Sequence, residues 1–390
     1  MIHGHIDSRS VRSRLLRPPD GSFFLLGPRG TGKTLWTNVT FPDALRIDLL
    51  DPGEFRSLAA FPERLISRVT SLPQDSKVVI DEVQKLPSLL EVVQFLIASR
   101  PDVQFVLTGS SARKLRRGNV NLLGGRALQV HMHPYVASEL REAFDLDEAL
   151  HVGLVPVVFE APQPALTLQS YVNLYIREEV FAEGLVRNTE HFSRFLEVLS
   201  FSHGEILNIS NIARDASIQR KTIENYIDIL EDLLLGFRLP VFTHHAKRET
   251  IRHPKFYFFD AGVYQAIRPR GPLDNQGSIL GHALEGLVAQ HLRALCDLAG
   301  DGRKLFYWHT RSGSEVDFVV YGPTMFVAIE VKMSTSFRSE DLRSLRAFAK
   351  DYPEAMCTLL YRGTEAHSVD NIQVVPVNHW LREFATTGLY

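Results

Sequence analysis

The chain is poor in cysteine. Only Cys296 and Cys357 occur in 390 residues, far apart and without metal-ligand spacing. That excludes a disulfide framework and points to a reducing cytoplasm. No apolar run reaches the length of a membrane span. Met1-Ile2-His3-Gly4-His5-Ile6-Asp7 lacks the apolar core of a signal peptide. Charge of one sign is missing too: the formal net charge is −2, so a nucleic-acid partner would have to meet a local basic patch. No internal repeat is visible. Hydrophobic residues at 45% and charged residues at 23% are ordinary for globular domains, and the length suits two or three of them.

What the chain does have begins at Gly27-Pro28-Arg29-Gly30-Thr31-Gly32-Lys33-Thr34, with the spacing G-x-x-x-x-G-K-[ST]. The apolar run Ser22–Leu26 before it reads as a buried strand, and Leu35–Val39 after it opens a helix. Glycines at 27, 30 and 32 let successive N–H groups turn toward one phosphate chain, with the helix N-terminus behind them. The expected nucleotide-binding residues are therefore Gly27 to Thr34 and Leu35, with Lys33 on the β- and γ-phosphates and the Thr34 hydroxyl on Mg²⁺. Lys77-Val78-Val79-Ile80-Asp81-Glu82 is a strand ending in two carboxylates. Asp81 would hold Mg²⁺ through water, and Glu82 would polarise the attacking water, which argues for ATP hydrolysis rather than binding alone. Gln84–Ser99 has helical spacing.

Val103–Ser111 reads as another strand ending in small polar residues, and Ser8–Arg17 as a short amphipathic helix with a solvated arginine face. Arg113, Lys114, Arg116 and Arg117 form a dense cationic run, either a solvated face or a contact for DNA phosphates. Arg126, after Gly124-Gly125, is either a structural arginine or an arginine finger reaching a neighbour's γ-phosphate.

In their order, Gly27–Thr34, Ile80-Asp81-Glu82, Leu107–Ser111 and Gly125-Arg126 resemble the AAA ATPases of bacteria and archaea that carry a winged-helix segment and a C-terminal domain of unknown function. Leu35 is a mild departure, since members often have a second Thr there. The resemblance extends over nearly the whole chain. It implies a three-domain α/β ATPase, with Thr108 or Ser110 as the polar residue that senses the γ-phosphate.

Pro134–Asp147 and Leu166–Val186 look helical, and the second could close over nucleotide as a lid containing Arg177. Farther on, Phe192–Phe201 is a helix. Leu207–Asp215 is another, with Ser210 as its cap. Ala216-Ser217-Ile218 is a turn, Gln219–Leu230 a longer helix, and Leu233–Leu239 a returning strand. This is a helix-turn-helix with a wing. Gln219, Arg220 and Lys221 are donors at the end that faces a major groove. Glu224, Asp228, Glu231 and Asp232 follow closely, so the segment suits either DNA contact or packing against protein. His244-His245 lacks the partners of a metal site.

Lys255–Asp260 begins another domain. A helix over about Ser278–Ala299 carries Glu285 among leucines, and strands are expected at Lys304–His309, Glu315–Tyr321 and Phe326–Lys332. Glu330 and Lys332, two apart on one strand, share a face, and Asp317 on the neighbouring strand can join them. Asp341–Lys350 reads as an amphipathic helix and Cys357–Tyr361 as a closing strand. Asp…Glu-x-Lys with a preceding helical Glu resembles the PD-(D/E)xK nucleases, a restriction-endonuclease-like fold. The resemblance implies Mg²⁺ or Mn²⁺ on Glu285, Asp317 and Glu330, with Lys332 activating water and DNA as substrate.

The reading is an AAA-type ATPase domain with lid over 1–186, a winged helix over 187–253 and a nuclease-like domain over 254–390. It expects a DNA-acting ATPase, self-associated in a ring. The alternative is a nucleotide-controlled switch whose inactive nuclease-like domain holds a protein partner. A sequence-specific regulator is a third reading.

Overall fold

The structure is a computed structural model, and it describes residues 12–111, 125–176, 180–181, 186, 188–244 and 253–383. Arg113, Lys114, Arg116, Arg117 and Arg177 therefore lie outside the described residues. The chain divides into two compact units: one reaches His133 and includes Asp232–Leu234, and the other comprises Pro134–Glu231 and Leu235 onward. No helix among the described residues is long and apolar enough to cross a membrane.

The first unit is a parallel sheet of β1 (Phe23–Leu26), β2 (Leu45–Asp48), β3 (Lys77–Asp81), β4 (Gln104–Gly109) and β5 (Leu128–His131), in the order β2-β3-β4-β1-β5. Its helices are α1 (Lys33–Thr40), α2 (Pro52–Ala60), α3 (Arg64–Thr70) and α4 (Leu89–Ser99). The strands are near-continuous apolar runs because both faces are covered. Phe24, Leu26, Ile80, Phe105 and Leu107 point to one core with Leu58, Leu65, Leu90 and Val93. The alternate residues Phe23, Leu25, Val79 and Val106 point to the other, with Trp36, Phe41 and Met132. Placing β4 between β1 and β3 brings three strand ends together: those leading to Gly27, Asp81 and Ser110.

Two local expectations change here. Residues 12–17 are not helical. Instead Arg14 donates to the carbonyls of Thr31 (2.9 Å) and His133 (2.7 Å), so this arginine braces the glycine-rich loop rather than facing solvent. The expected helix from Gln84 is a short 3-10 turn, Val83–Lys85, and α4 starts only at Leu89, two residues after Pro87.

The second unit holds the expected lid residues from Pro134 onward; α5 (Leu146–Val152) and α6 (Pro164–Ser170) lie there, and Tyr171–Ile176 continues α6 as a π-helical turn. Next come α7 (Thr189–Ser200), α8 (Ile209–Ala216) and α9 (Arg220–Asp232). Asn208, not Ser210, caps α8, because its side chain accepts from the Asn211 N–H while Ser210 is already inside the helix. Ser217 turns the chain at φ 55. The strand expected over Leu233–Leu239 is shorter, β6 (Gly236–Leu239), and it pairs antiparallel with β7 (Lys255–Phe258). The 253/254 boundary expected from sequence thus runs between two hydrogen-bonded strands.

Beyond α10 (Ala261–Ile267), Asn275 caps the long α11 (Gln276–Ala299). Then β8 (Lys304–His309), β9 (Glu315–Gly322) and β10 (Met325–Lys332) form an antiparallel meander. α12 (Arg343–Asp351) crosses over to β11 (Met356–Tyr361), which is parallel to β10. β12 (His367–Val369) and β13 (Ile372–Pro376) complete a sheet of order β12-β13-β11-β10-β9-β8. Trp308, Val316, Val319, Ala328 and Leu359 pack against Leu345 and Phe348 of α12 on one of its faces.

Candidate functional site

The glycine-rich loop leaves β1 at the carboxyl edge of the parallel sheet, where open α/β sheets bind ligands. Gly27 is needed for close approach, since a Cβ there would lie 2.4 Å from the Met132 carbonyl oxygen. Gly30 and Gly32 adopt φ 82 and 89, backbone that favours glycine. The Thr31 hydroxyl donates to the Pro28 carbonyl at 2.8 Å and closes the turn. The Lys33 ammonium is buried and donates to the carbonyls of Gly27 (2.8 Å) and Pro28 (3.1 Å), folded over its own loop.

Across from it, Thr34 donates its hydroxyl to Asp81 Oδ2 at 2.6 Å. Thr108 donates to the other Asp81 oxygen, and the Glu82 N–H donates to the Thr108 hydroxyl at 3.2 Å. Asp81 therefore ties α1, β3 and β4 together through two hydroxyls. An oxygen-only pair of hydroxyl and carboxylate suits Mg²⁺. Glu82 sits at φ 56, a left-handed conformation for a non-glycine residue at the end of β3.

Gln84 is the residue that sequence reasoning missed, because it was read as the start of a helix. Its side-chain amide donates to Glu82 Oε2 and to Ser110 Oγ (3.0 Å), joining two residues that the sequence singled out separately. Gly109 leaves the room: a Cβ there would stand 2.7 Å from Gln84 Oε1. A glutamine two residues past Asp-Glu, facing a Gly-Ser strand end, was the available signal.

Arg29 is exposed on the loop, and Leu35 is half-buried on α1. Arg126 is exposed just before β5. Leu128 pairs with Phe23, at the end of β1 away from the loop. At about 3.3 Å per residue, Arg126 is more than about 10 Å along the sheet from the loop edge of its own chain. In the second unit, Gln219, Arg220 and Lys221 are exposed at the start of α9, where Arg220 pairs with Glu224 at 3.0 Å.

The second unit also gathers the acids expected from its sequence. Lys332 Nζ donates to Glu330 Oε1 at 2.7 Å, as two residues on one strand face should allow. Asp317 Oδ2 accepts the Val331 N–H at 2.8 Å. Glu285 Oε1 accepts from the Tyr257 hydroxyl at 2.6 Å. The sequence did not reveal the centre of this group: Lys255 of β7, whose ammonium lies 2.5 Å from Glu315, 3.2 Å from Glu285 and 3.8 Å from Asp317. Burial works to lower the Lys255 pKa, but the charge of Glu285 with Tyr257, Asp317 and Glu315 outweighs it and holds the ammonium well above the ordinary lysine range. Burial, then the charge of Glu285, raises Asp317; burial, then the charge of Asp317, raises Glu330. Glu285, Asp317 and Glu330 lie near enough to interact through their charges, and among the described residues no three His, Cys, Asp or Glu side chains are placed to hold a metal ion.

Three family models match successive stretches. Residues 20–141 match an AAA domain, 143–274 a domain of unknown function (DUF8612), and 280–380 another (DUF4143). A Haemophilus influenzae protein described as uncharacterized is 21% identical over 339 residues, covering 82% of this chain and 81% of its own. Among solved structures, the ADP form of the Aeropyrum pernix ORC2 protein matches with TM-score 0.30 at 12% identity, covering 69% of this chain and 88% of its own. Protein VC1899 from Vibrio cholerae matches with TM-score 0.25 at 10% identity, covering 94% and 96%. With its glycine-rich loop, parallel sheet and paired carboxylates, the stretch 20–141 is an AAA-type P-loop ATPase domain.

Proposed function

We propose that the first unit hydrolyses ATP with Mg²⁺ and that the chain uses this to act on DNA. The observation that carries the first part is the chain of hydroxyls and carboxylate from Thr34 through Asp81 to Thr108, set beside a complete phosphate loop. Backbone N–H groups of Gly27–Thr34 cradle the phosphates. Lys33 exchanges the Gly27 and Pro28 carbonyls for β- and γ-phosphate oxygens. Thr34 and Asp81 hold Mg²⁺, which neutralises charge that builds on the phosphates. Glu82 orients the attacking water and takes its proton, while Thr108 and Ser110 link that carboxylate to the state of the γ-phosphate. Arg126 stands away from its own loop, so its part as a finger is played on a neighbour's nucleotide in a homo-oligomeric ring. Gln219, Arg220 and Lys221 are the proposed DNA-facing donors.

The test is ATPase turnover of the wild type and of Lys33→Ala with no DNA, then with single-stranded, duplex and branched DNA. Hydrolysis lost in Lys33→Ala and raised by one of these DNAs is expected. Equal turnover of the two proteins would remove the ATPase assignment, and DNA-indifferent turnover would remove DNA.

A second reading, the nucleotide-controlled switch with an inactive nuclease-like domain, is favoured by one observation: a lysine stands among the acids that a nuclease would give to its metal. Plasmid nicked in Mg²⁺ or Mn²⁺, and no longer nicked by Lys332→Ala, would rule that reading out.

A further inference from the structure

The acidic cluster of the second unit raises a question of charge. Glu285 comes from α11, Glu315 and Asp317 from β9, and Glu330 from β10. The side chains of Glu285, Asp317 and Glu330 are largely buried, and that of Glu315 is 33% exposed. Four carboxylates at such a place need cations. A divalent ion would need several of their oxygens converging within about 2.6 Å of one point.

At least one oxygen of each acid already faces a donor or a cation. Glu285 Oε1 takes both the Tyr257 hydroxyl and the Lys255 ammonium. Asp317 Oδ2 takes a backbone N–H, and its Oδ1 faces Lys255. Glu315 meets Lys255 with one oxygen, and its other lies 3.3 Å from His309 Nδ1. Glu330 Oε1 belongs to Lys332, and its Oε2 is buried with no hydrogen-bond partner. A metal among these groups would stand next to a fixed positive charge, which repels it strongly where water is excluded.

The origin of that charge matters as much as its position. Lys255 is on β7, which pairs with β6 and falls in the stretch 143–274, whereas every acid of the cluster falls in 280–380. Its side chain is 4% exposed. A lysine so enclosed is not a surface counter-ion that drifts in and out. It is a fixture between one matched segment and the next.

We propose that Lys255 is the resident cation of this cluster: its ammonium takes the place that the nuclease resemblance reserves for a divalent metal, and it fastens the β6–β7 strand pair to the C-terminal sheet. This stands apart from the ATPase reading and does not depend on it. The acids are kept as the seat of a lysine, and the C-terminal sheet is closed to metal while β7 is in place.

The experiment is a Mn²⁺ titration, followed by electron paramagnetic resonance, of nucleotide-free full chain in an Asp81→Asn background that removes the acid of the phosphate loop. With Lys255 present, any Mn²⁺ binding at the cluster is weaker than about 1 mM. Folded Lys255→Gln gains one Mn²⁺ per chain, and adding Asp317→Asn takes it away. Stoichiometric Mn²⁺ on the Lys255-bearing protein that disappears in Asp317→Asn overturns the proposal. So does a folded Lys255→Gln that binds none. Should Lys255→Gln fail to fold, the Lys255-bearing pair with and without Asp317→Asn still decides.

Discussion

Asp81 in the first unit and Asp317 in the second both sit on strands and both lie beside a glutamate and a lysine in the sequence pattern. Their partners differ. Asp81 accepts from the neutral hydroxyls of Thr34 and Thr108, with the Arg46 guanidinium near enough to interact with it electrostatically. Asp317 and its neighbours are held by the ammonium groups of Lys255 and Lys332, which offset part of that charge from within. A carboxylate at a strand end is thus open or closed to a cation according to what its hydrogen-bond partners carry. The residue type alone does not decide it.

The comparison breaks hardest at Glu82 and Lys332. Glu82→Gln keeps the loop, Thr34 and Asp81, yet removes the proton acceptor, so ATP turnover falls by about 10²–10⁴-fold with nucleotide binding retained. Lys332→Ala leaves turnover within about twofold. Single-turnover hydrolysis on both variants checks this, and equal losses would mean that the two acidic sites are not functionally distinct. Next in size is stability. Removing one partner of a buried ionic group costs about 3–5 kcal/mol, so Lys255→Met lowers the denaturation midpoint of the second unit sharply. Arg220→Ala, which breaks only an exposed pair with Glu224, leaves it unchanged. Smaller again is Gln84→Ala. A hydrogen bond to a charged group contributes about 1.5–3 kcal/mol, so loosening Glu82 reduces kcat roughly tenfold with ATP affinity unchanged.

The first unit was the more legible. Its loop needs glycine at fixed positions, and its strands are apolar on both faces, so spacing and hydrophobicity spell out the sheet edge that presents Asp81 and Thr108. Gln84 was hidden because a 3-10 turn and a helix share apolar spacing over so few residues, and Pro87 was the only mark that separated them. In the second unit the α11–β8–β9–β10 succession and the Glu330–Lys332 pair were readable from periodicity. Lys255 was not. It is 30 positions from Glu285, and nothing local says that a strand opening with lysine will bury its ammonium. That depends on α11 and β9 meeting β7, a long-range event with no signature at position 255. Arg14 was misread for the same reason: its partners are carbonyls of Thr31 and His133, and carbonyls leave no trace in a sequence.

The finest test of the comparison is pH. Burial, then the charge of Asp317, raises the native pKa of Glu330, while Lys332 opposes the shift and Glu285 adds to it. The native state therefore keeps this proton at pH values where an unfolded glutamate, at about 4.3, has released it. Since stability falls with rising pH wherever the native state binds more protons, wild type loses stability from about pH 4.3 up to the raised value and then levels off. Glu330→Gln has no such proton, and the groups common to both proteins largely cancel in the difference. The melting temperature of wild type minus that of Glu330→Gln should fall by a few degrees across that window, since each pKa unit is worth about 1.4 kcal/mol. A pH-independent gap for Glu330→Gln would mean that Lys332 fully neutralises Glu330, and the contrast between the two sites would then rest on Lys255 alone.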